Sequence, residues 1–150
     1  MKRTLIVTAI LAVVAVLSQS PAAAETTVQN GDGTSFVVLS PMESKKLIET
    51  RGSLQLVDVR TEREYMSGAL PGSRLVTWSS WSPQSFLGSM QTFDKGKPLL
   101  LICAVGGRSF AAAQLLSRSG FKEVYNLDKG LQEWVRLRVP LPAKTPAASQ

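Results

Sequence analysis

Residues 99–108 read LLLICAVGGR, and this stretch decides how the chain folds. The apolar run 99–102 predicts a strand that is covered on both faces, as in a parallel sheet. A pair of glycines follows, and a helical pattern begins at Ser109. A strand, a glycine loop and a helix in this order aim backbone N–H groups and a helix N-terminus at one point. A sulfur held there, such as that of Cys103, would be favoured as the reactive thiolate.

Strands and helices alternate on both sides of this stretch. Further strands are predicted at residues 36–39, 54–59, 73–76 and 123–127. Helices are predicted at residues 41–49, 62–67, 83–90, 110–118 and 131–136. Ser40 with Glu43 and Thr61 with Glu64 form capping boxes, and Ser82 before Pro83 is a further capping signal. The alternation predicts an α/β fold, with a central parallel sheet of about five strands and helices on both faces.

The N-terminus has the pattern of a secretory signal peptide. Lys2 and Arg3 precede an apolar stretch at 5–17, and three alanines at 22–24 form a cleavage pattern. An uncleaved anchor is the alternative, but this stretch is shorter than the roughly 20 residues of a spanning helix. We therefore expect cleavage after residue 24, export to a bacterial periplasm and no stable membrane association afterwards. A flexible segment at 25–35, one domain at 36–142 and a disordered tail at 143–150 complete the predicted organisation.

Charge and composition exclude several functions. Without residues 1–24, 15 basic residues face 11 acidic ones, a balance of +4 that is spread along the chain. Because no basic cluster is present, we expect no nucleic-acid partner. The chain has one cysteine and no histidine, which argues against a metal site and against Cys-His or Ser-His catalysis. We expect no cofactor.

Five short motifs occur in a fixed order along the chain. They are residues 56–60 (LVDVR), 64–65 (EY), 68–73 (GALPGS), 103–109 (CAVGGRS) and 120–134 (GFKEVYNLDKGLQEW). Together they resemble a single-domain rhodanese, a sulfurtransferase, over residues 36–142. The resemblance implies a rhodanese-like fold and a catalytic cysteine, Cys103. That cysteine takes a sulfane sulfur from thiosulfate, a persulfide or a polysulfide and passes it to a thiol or cyanide.

The loop residues have physical reasons to take part in this chemistry. Gly106 and Gly107 permit positive φ angles, so that successive N–H groups converge on one anion. Arg108 supplies a permanent charge. We expect Ala104, Val105, Gly106, Gly107, Arg108 and Ser109 to bind the small anionic donor. Ser109 would either donate a hydrogen bond to the persulfide or cap the helix.

The chain departs from the family at two positions. Ala104 stands where many members have an arginine, so the entrance has one positive charge fewer and thiosulfate turnover is expected to be weak. Ala69 replaces a histidine that is common in the family, at a position that we interpret as structural.

Two other functions compete with sulfur transfer. Tyrosine-phosphatase-like loops have one residue more between the cysteine and the arginine, so the shorter loop here favours sulfur over phosphate or arsenate. A non-catalytic sulfur carrier or protein-binding module is the second alternative.

Several polar and aromatic side chains have structural interpretations. A lone cysteine after an apolar strand is often only a core residue. Asp58, Arg60 and Glu64 would form an ion pair and a cap. Trp78 and Trp81 would pack against the domain or line the substrate entrance, and Trp134 would anchor the last helix.

Overall fold

The computed structural model describes residues 25–143. The expected signal peptide (1–24) and all but the first residue of the expected tail (143–150) lie outside the described residues. Within residues 25–143, no helix has the length and apolar character needed to cross a bilayer.

A six-stranded sheet forms the centre of the domain. Its strands are β1 (Thr26–Gln29), β2 (Ser35–Leu39), β3 (Gln55–Asp58), β4 (Arg74–Leu75), β5 (Leu99–Ile102) and β6 (Val124–Leu127). They lie in the order β1-β2-β6-β5-β3-β4. β1 runs antiparallel to β2, and every other pair is parallel. The α/β fold with a mostly parallel sheet is confirmed, with one strand more than the five expected.

The additional strand, β1, lies where the sequence predicts a flexible segment. Val28 pairs with Phe36 across the two strands. The Asn30 N–H closes the turn on the Thr34 carbonyl at 2.8 Å, and the Asn30 side chain donates to Ser117 Oγ at 2.8 Å. The sequence prediction did not include β1, because β2 supplies the hydrogen-bond partners of this polar edge strand.

Within residues 25–143, five α-helices cover the sheet, and a short 3-10 helix (Met90–Thr92) follows the third. The α-helices are α1 (Pro41–Thr50), α2 (Glu62–Met66), α3 (Pro83–Ser89), α4 (Gly107–Arg118) and α5 (Gly130–Arg136). The capping boxes at Ser40 and Thr61 are confirmed. Helix α3 starts at Pro83 as predicted, but Ser82 makes no capping bond, and its hydroxyl donates to Ser85 Oγ. Helix α4 begins at Gly107, two residues before the start of the helical pattern at Ser109 and three before the predicted range 110–118.

Strand β5 separates two apolar cores. Leu99 and Leu101 belong to the core that contains Leu116 of α4. Leu100 and Ile102 belong to the core that contains Ile48 of α1 and Trp134 of α5. All four β5 residues are fully buried, as expected for a strand with helices on both faces. The next residue, 103, therefore lies at the carboxyl end of a central strand.

Candidate active-site loop

Cys103 lies directly after β5, and two donors reach its sulfur. The Gly106 N–H donates to Sγ at 3.1 Å, and Ser109 Oγ lies 3.2 Å from Sγ. Gly106 has a φ of 90°, which turns the chain back over the cysteine and starts α4. The side chain of Cys103 has no exposed surface and also contacts the core that contains Leu101. The sulfur thus lies between hydrogen-bond donors on one side and hydrocarbon on the other.

Ser109 has two possible acceptors for its single hydroxyl proton. Its Oγ lies 3.1 Å from the Gly106 carbonyl oxygen as well as 3.2 Å from Cys103 Sγ. A negative charge on sulfur would draw the proton towards Sγ, because charged acceptors form stronger hydrogen bonds. Ser109 lies inside the first turn of α4, whose N-cap is Gly106. The geometry thus favours the sulfur-binding role over the capping role.

The remaining loop residues lie at or near the surface. Val105 and Gly107 are exposed, and Ala104 is half-buried. The sequence predicts a positive φ angle at both Gly106 and Gly107. Gly106 has one, but Gly107 is the first residue of α4 and does not, so the prediction is right for Gly106 and wrong for Gly107. The N–H groups of Gly107, Arg108 and Ser109 have no acceptor among residues 25–143, as is usual in the first turn of a helix.

The start of α5 is hydrogen-bonded to the backbone of the loop. The N–H groups of Leu131 and Gln132 donate to the carbonyl oxygens of Cys103 and Ala104 at 2.9 and 3.0 Å. A Cβ atom on Gly130 would lie 2.3 Å from the Cys103 carbonyl oxygen. This close backbone contact was not recognised from the sequence, where Gly130 appears only as part of a motif.

Arg108 is bound by a carboxylate and donates no hydrogen bond to Cys103 Sγ. Its Nη1 and Nη2 donate to the two carboxylate oxygens of Glu64 at 2.8 and 2.6 Å. The hydrogen bonds from Arg108 hold the pKa of Glu64 far below its ordinary value, and those with Glu64 raise the pKa of Arg108. Sequence reasoning identified the cap by Glu64 but missed this pair, because 44 residues separate the partners.

Asp58 and Arg60 form a buried ion pair, as predicted. Arg60 Nη2 lies 2.7 Å from Asp58 Oδ2, and it also donates to the Gly68 carbonyl oxygen at 2.7 Å. This pair joins the end of β3 to the segment after α2. Both arginines near the loop, Arg60 and Arg108, are therefore neutralised by carboxylates.

The two tryptophans before α3 differ in their surroundings. The Trp78 ring packs edge-on against Phe86, with 5.0 Å between the ring centroids. Trp81 is 96% exposed. The predicted packing role is thus right for Trp78 and wrong for Trp81.

Together, the sheet and the loop define a class of protein: an α/β domain that presents a cysteine between its central strand and a helix N-terminus. Within this class, the chain belongs to the rhodanese-like domain family, which matches residues 40–137.

Named relatives agree with this assignment. The chain is 31% identical to the thiosulfate sulfurtransferase GlpE of Pseudomonas paraeruginosa over 110 residues, which cover 73% of this chain and 91% of that protein. A rhodanese-like domain protein from Staphylococcus aureus superposes with a TM-score of 0.56 at 25% identity, covering 65% of this chain and 89% of the other. The polysulfide-sulfur transferase homodimer of Wolinella succinogenes gives a TM-score of 0.56 at 26% identity, covering 70% of this chain and 77% of the other.

Proposed function

We propose that the protein is a sulfurtransferase that carries a sulfane sulfur on Cys103 as a persulfide. One observation carries this proposal: Cys103 Sγ accepts a hydrogen bond from the Gly106 N–H and lies within hydrogen-bond distance of Ser109 Oγ. The unpaired N–H groups of the first turn of α4 offer further donors to a second sulfur atom. The similarity to a thiosulfate sulfurtransferase supports the same chemistry.

The reaction consists of two displacements at sulfur. In the first, the Cys103 thiolate attacks the sulfane sulfur of a donor R–S–SH. A new S–S bond forms, the donor S–S bond breaks, and RS⁻ leaves with the electron pair. In the second, an acceptor thiolate attacks the outer sulfur of the Cys103 persulfide, which releases the Cys103 thiolate. The atoms and charges balance without an oxidant, a reductant or a cofactor.

The charges around the loop favour a donor of low charge. Thiosulfate is a dianion, and its sulfonate oxygens would need an unbalanced cation near the sulfur. Glu64 neutralises Arg108, and Ala104 supplies no charge. A persulfide or polysulfide carries less charge, so we propose it as the donor, with a thiol or cyanide as the acceptor.

Mass spectrometry of the intact protein tests this proposal. The purified protein is incubated with glutathione persulfide or with thiosulfate, and its mass is measured before and after reduction with dithiothreitol. We expect a gain of one sulfur atom with the persulfide, a smaller gain with thiosulfate and none in the Cys103→Ser variant. Absence of the sulfur adduct with both donors would overturn the proposal.

A non-catalytic protein-binding module that does not use the thiol is the second candidate, and the complete burial of Cys103 favours it. Thiocyanate formation from cyanide distinguishes the two candidates. A sulfurtransferase forms many equivalents of thiocyanate per protein with excess donor, whereas a binding module whose Cys103 takes up no sulfur forms no more than the Cys103→Ser variant.

We also propose export to the periplasm, which the pattern at residues 1–24 supports. N-terminal sequencing of the protein from a periplasmic extract tests it, with Glu25 expected as the first residue. Recovery of the protein only in the cytoplasmic fraction, with residues 1–24 attached, would contradict it.

A further inference from the structure

A groove of about 450 Å³ lies at one edge of the sheet, away from the cysteine loop. β4 is the last strand in the sheet order, so one side of its backbone pairs with β3 and the other side has no strand beside it. Residues 74–77 form one wall of the groove, and Ser85, Phe86 and Ser89 of α3 belong to the other. The free edge of β4 therefore opens on a groove beside a helix.

The backbone at this edge has an unpaired hydrogen-bond donor. The N–H groups of Val76 and Trp78 donate to the carbonyl oxygens of Asp58 and Val59, at 3.0 Å each. Successive N–H groups of an extended chain point to opposite sides, so the Thr77 N–H between them points to the free edge. This N–H has no acceptor among residues 25–143. An unpaired edge of this kind is a template for pairing with another extended chain.

The groove also contains a cation that no carboxylate balances. Arg74 Nη2 donates to Thr92 Oγ1 at 3.2 Å, and the guanidinium carbon lies 4.2 Å from the centre of the Phe93 ring. Arg74 and Thr92 both line the groove. Arg74 has no ion-pair partner among residues 25–143, and its Nε and Nη1 make no hydrogen bond within that range. Two nitrogens of a positioned guanidinium are thus available to a ligand carboxylate.

The wall opposite β4 is polar, which favours a peptide over an apolar ligand. Ser85 and Ser89 are four residues apart and therefore lie on the same side of α3. Hydroxyl groups both donate and accept hydrogen bonds, and a peptide backbone offers both kinds of partner. Four residues of an extended segment, as many as residues 74–77, span about 13 Å. The groove therefore suits a short stretch of extended chain.

We propose that the groove between β4 and α3 binds an extended, acidic segment of a partner protein. The segment adds a strand to the free edge of β4, where one of its carbonyl oxygens accepts a hydrogen bond from the Thr77 N–H. A carboxylate of the segment pairs with Arg74. This site is separate from Cys103 and does not depend on sulfur transfer, so the Cys103→Ser variant should bind the same peptides as the parent.

Nuclear magnetic resonance of the ¹⁵N-labelled protein tests the proposal with three synthetic peptides. The first, acetyl-TVEVT-amide, carries one carboxylate. The second has glutamine in place of the glutamate, and the third is the first peptide with a methyl group on the nitrogen of each of its five residues.

The glutamate peptide is expected to shift the Thr77 amide signal saturably and to leave that of Val28, in β1 at the opposite edge of the sheet, in place. The glutamine peptide should bind about two- to fivefold more weakly, the effect of losing one partly exposed ion pair. The methylated peptide should not bind measurably, because it cannot donate hydrogen bonds to the β4 carbonyl oxygens.

Variants separate the charge from the groove. Arg74→Gln should lower the affinity for the glutamate peptide to that for the glutamine peptide, whereas Arg74→Lys keeps the charge and should retain most of the difference. Ser85→Tyr places a ring in the groove and should weaken binding of both peptides at least tenfold. Gln84→Tyr is its matched control, because Gln84 is exposed on α3 but does not line this groove, and it should bind both peptides as the parent does.

Each of the following results would overturn the proposal. A Thr77 signal that the glutamate peptide does not shift would show that the edge stays unpaired. Equal affinity for the glutamate and glutamine peptides would show that Arg74 is unused, and equal affinity for the methylated peptide would show that the strand edge is unused. Tighter binding of inorganic phosphate than of the glutamate peptide would show that the site takes small oxyanions. A Thr77 signal that shifts with protein concentration alone would show that a second copy of the chain occupies the edge.

Discussion

At the scale of single residues, the loop depends on two backbone contacts that only glycine permits. A Cβ atom on Gly106 would lie 2.8 Å from the Lys129 nitrogen, and one on Gly130 would overlap the Cys103 carbonyl. Both glycines also have positive φ angles. The cysteine is therefore positioned by the start of α5 as much as by its own loop.

Replacement of Gly130 by alanine should destabilise the protein strongly. The new Cβ would lie 2.3 Å from a backbone oxygen at a φ of 62°, so the loop or α5 must move. We expect a loss of at least about 2 kcal/mol in the free energy of unfolding, measured by urea denaturation. Gly88→Ala in α3 is the control, because nothing lies within 4 Å of its Cβ position, and it should be neutral or stabilising. Equal stability of the two variants would contradict the close contact.

Replacement of Ser109 by alanine should slow the loading of Cys103. The substitution removes the hydroxyl that lies 3.2 Å from Sγ and leaves the Gly106 N–H in place. We expect persulfide formation to be about tenfold slower, the effect of one hydrogen bond to a charged group of about 1.4 kcal/mol. Rates are measured by quenched-flow mass analysis against the control Ser80→Ala. An unchanged rate would assign Ser109 a structural role only.

At the scale of secondary-structure elements, the cap of α2 and the position of α4 are joined through Glu64. Its Oε2 accepts from the Thr61 N–H at the start of α2, and both its oxygens bind Arg108 in the first turn of α4. One carboxylate therefore fixes two helices at the same edge of the sheet.

The Glu64–Arg108 pair should make stability depend on pH in acid. The pKa of Glu64 is lowered in the folded state, so its contribution is complete above the unfolded value of about 4.5 and is lost as the pH falls below it. At pH 7, Glu64→Gln should lower the free energy of unfolding by about 1 kcal/mol. The loss is small because the ion pair is partly exposed and a glutamine side chain can still accept the capping hydrogen bond. The difference from the parent should shrink below pH 4.5, as followed by thermal melts.

Glu62→Gln is the matched control for this measurement. Glu62 lies in the same helix but forms no ion pair among the described residues. It should show little difference from the parent at either pH. If Glu64→Gln and Glu62→Gln have the same profile, the ion pair contributes nothing measurable.

The helix starts offer a second test at this scale. Ser40 Oγ accepts from the Glu43 N–H at 3.3 Å, whereas Ser82 makes no capping bond. Ser40→Ala should therefore destabilise the protein by about 1 kcal/mol and Ser82→Ala by much less. Chemical denaturation of both variants measures the difference, and equal losses would contradict the assigned caps.

At the scale of the whole molecule, β5 holds together the two cores on opposite faces of the sheet. Leu100 and Leu101 are both fully buried and point to different cores. Leu100→Ala and Leu101→Ala should each lower the free energy of unfolding by about 2–5 kcal/mol, because each leaves a cavity in a core. Far- and near-ultraviolet circular dichroism should report the same transition in each variant, because both cores share one strand. Separate transitions would show that the cores unfold independently.

Local signals allowed much of this fold to be predicted. The apolar run of β5 and the capping boxes at Ser40 and Thr61 depend on neighbouring residues, and they formed as expected. β1 was missed because its polar residues become a strand only through pairing with β2. The Glu64–Arg108 pair and the contact of Gly130 with the loop were missed for the same reason. They join segments that are distant in the chain, and no local pattern encodes their approach.

The burial of the lone thiol has a consequence for how two copies of the protein can interact. A disulfide requires the α-carbons of its two cysteines to approach within about 7 Å. Cys103 lies behind its own loop with no exposed surface, and the chain has no second cysteine. Covalent dimerisation under oxidising conditions would therefore require this loop to open in both copies at once. The folded protein should therefore remain free of intermolecular disulfides in air.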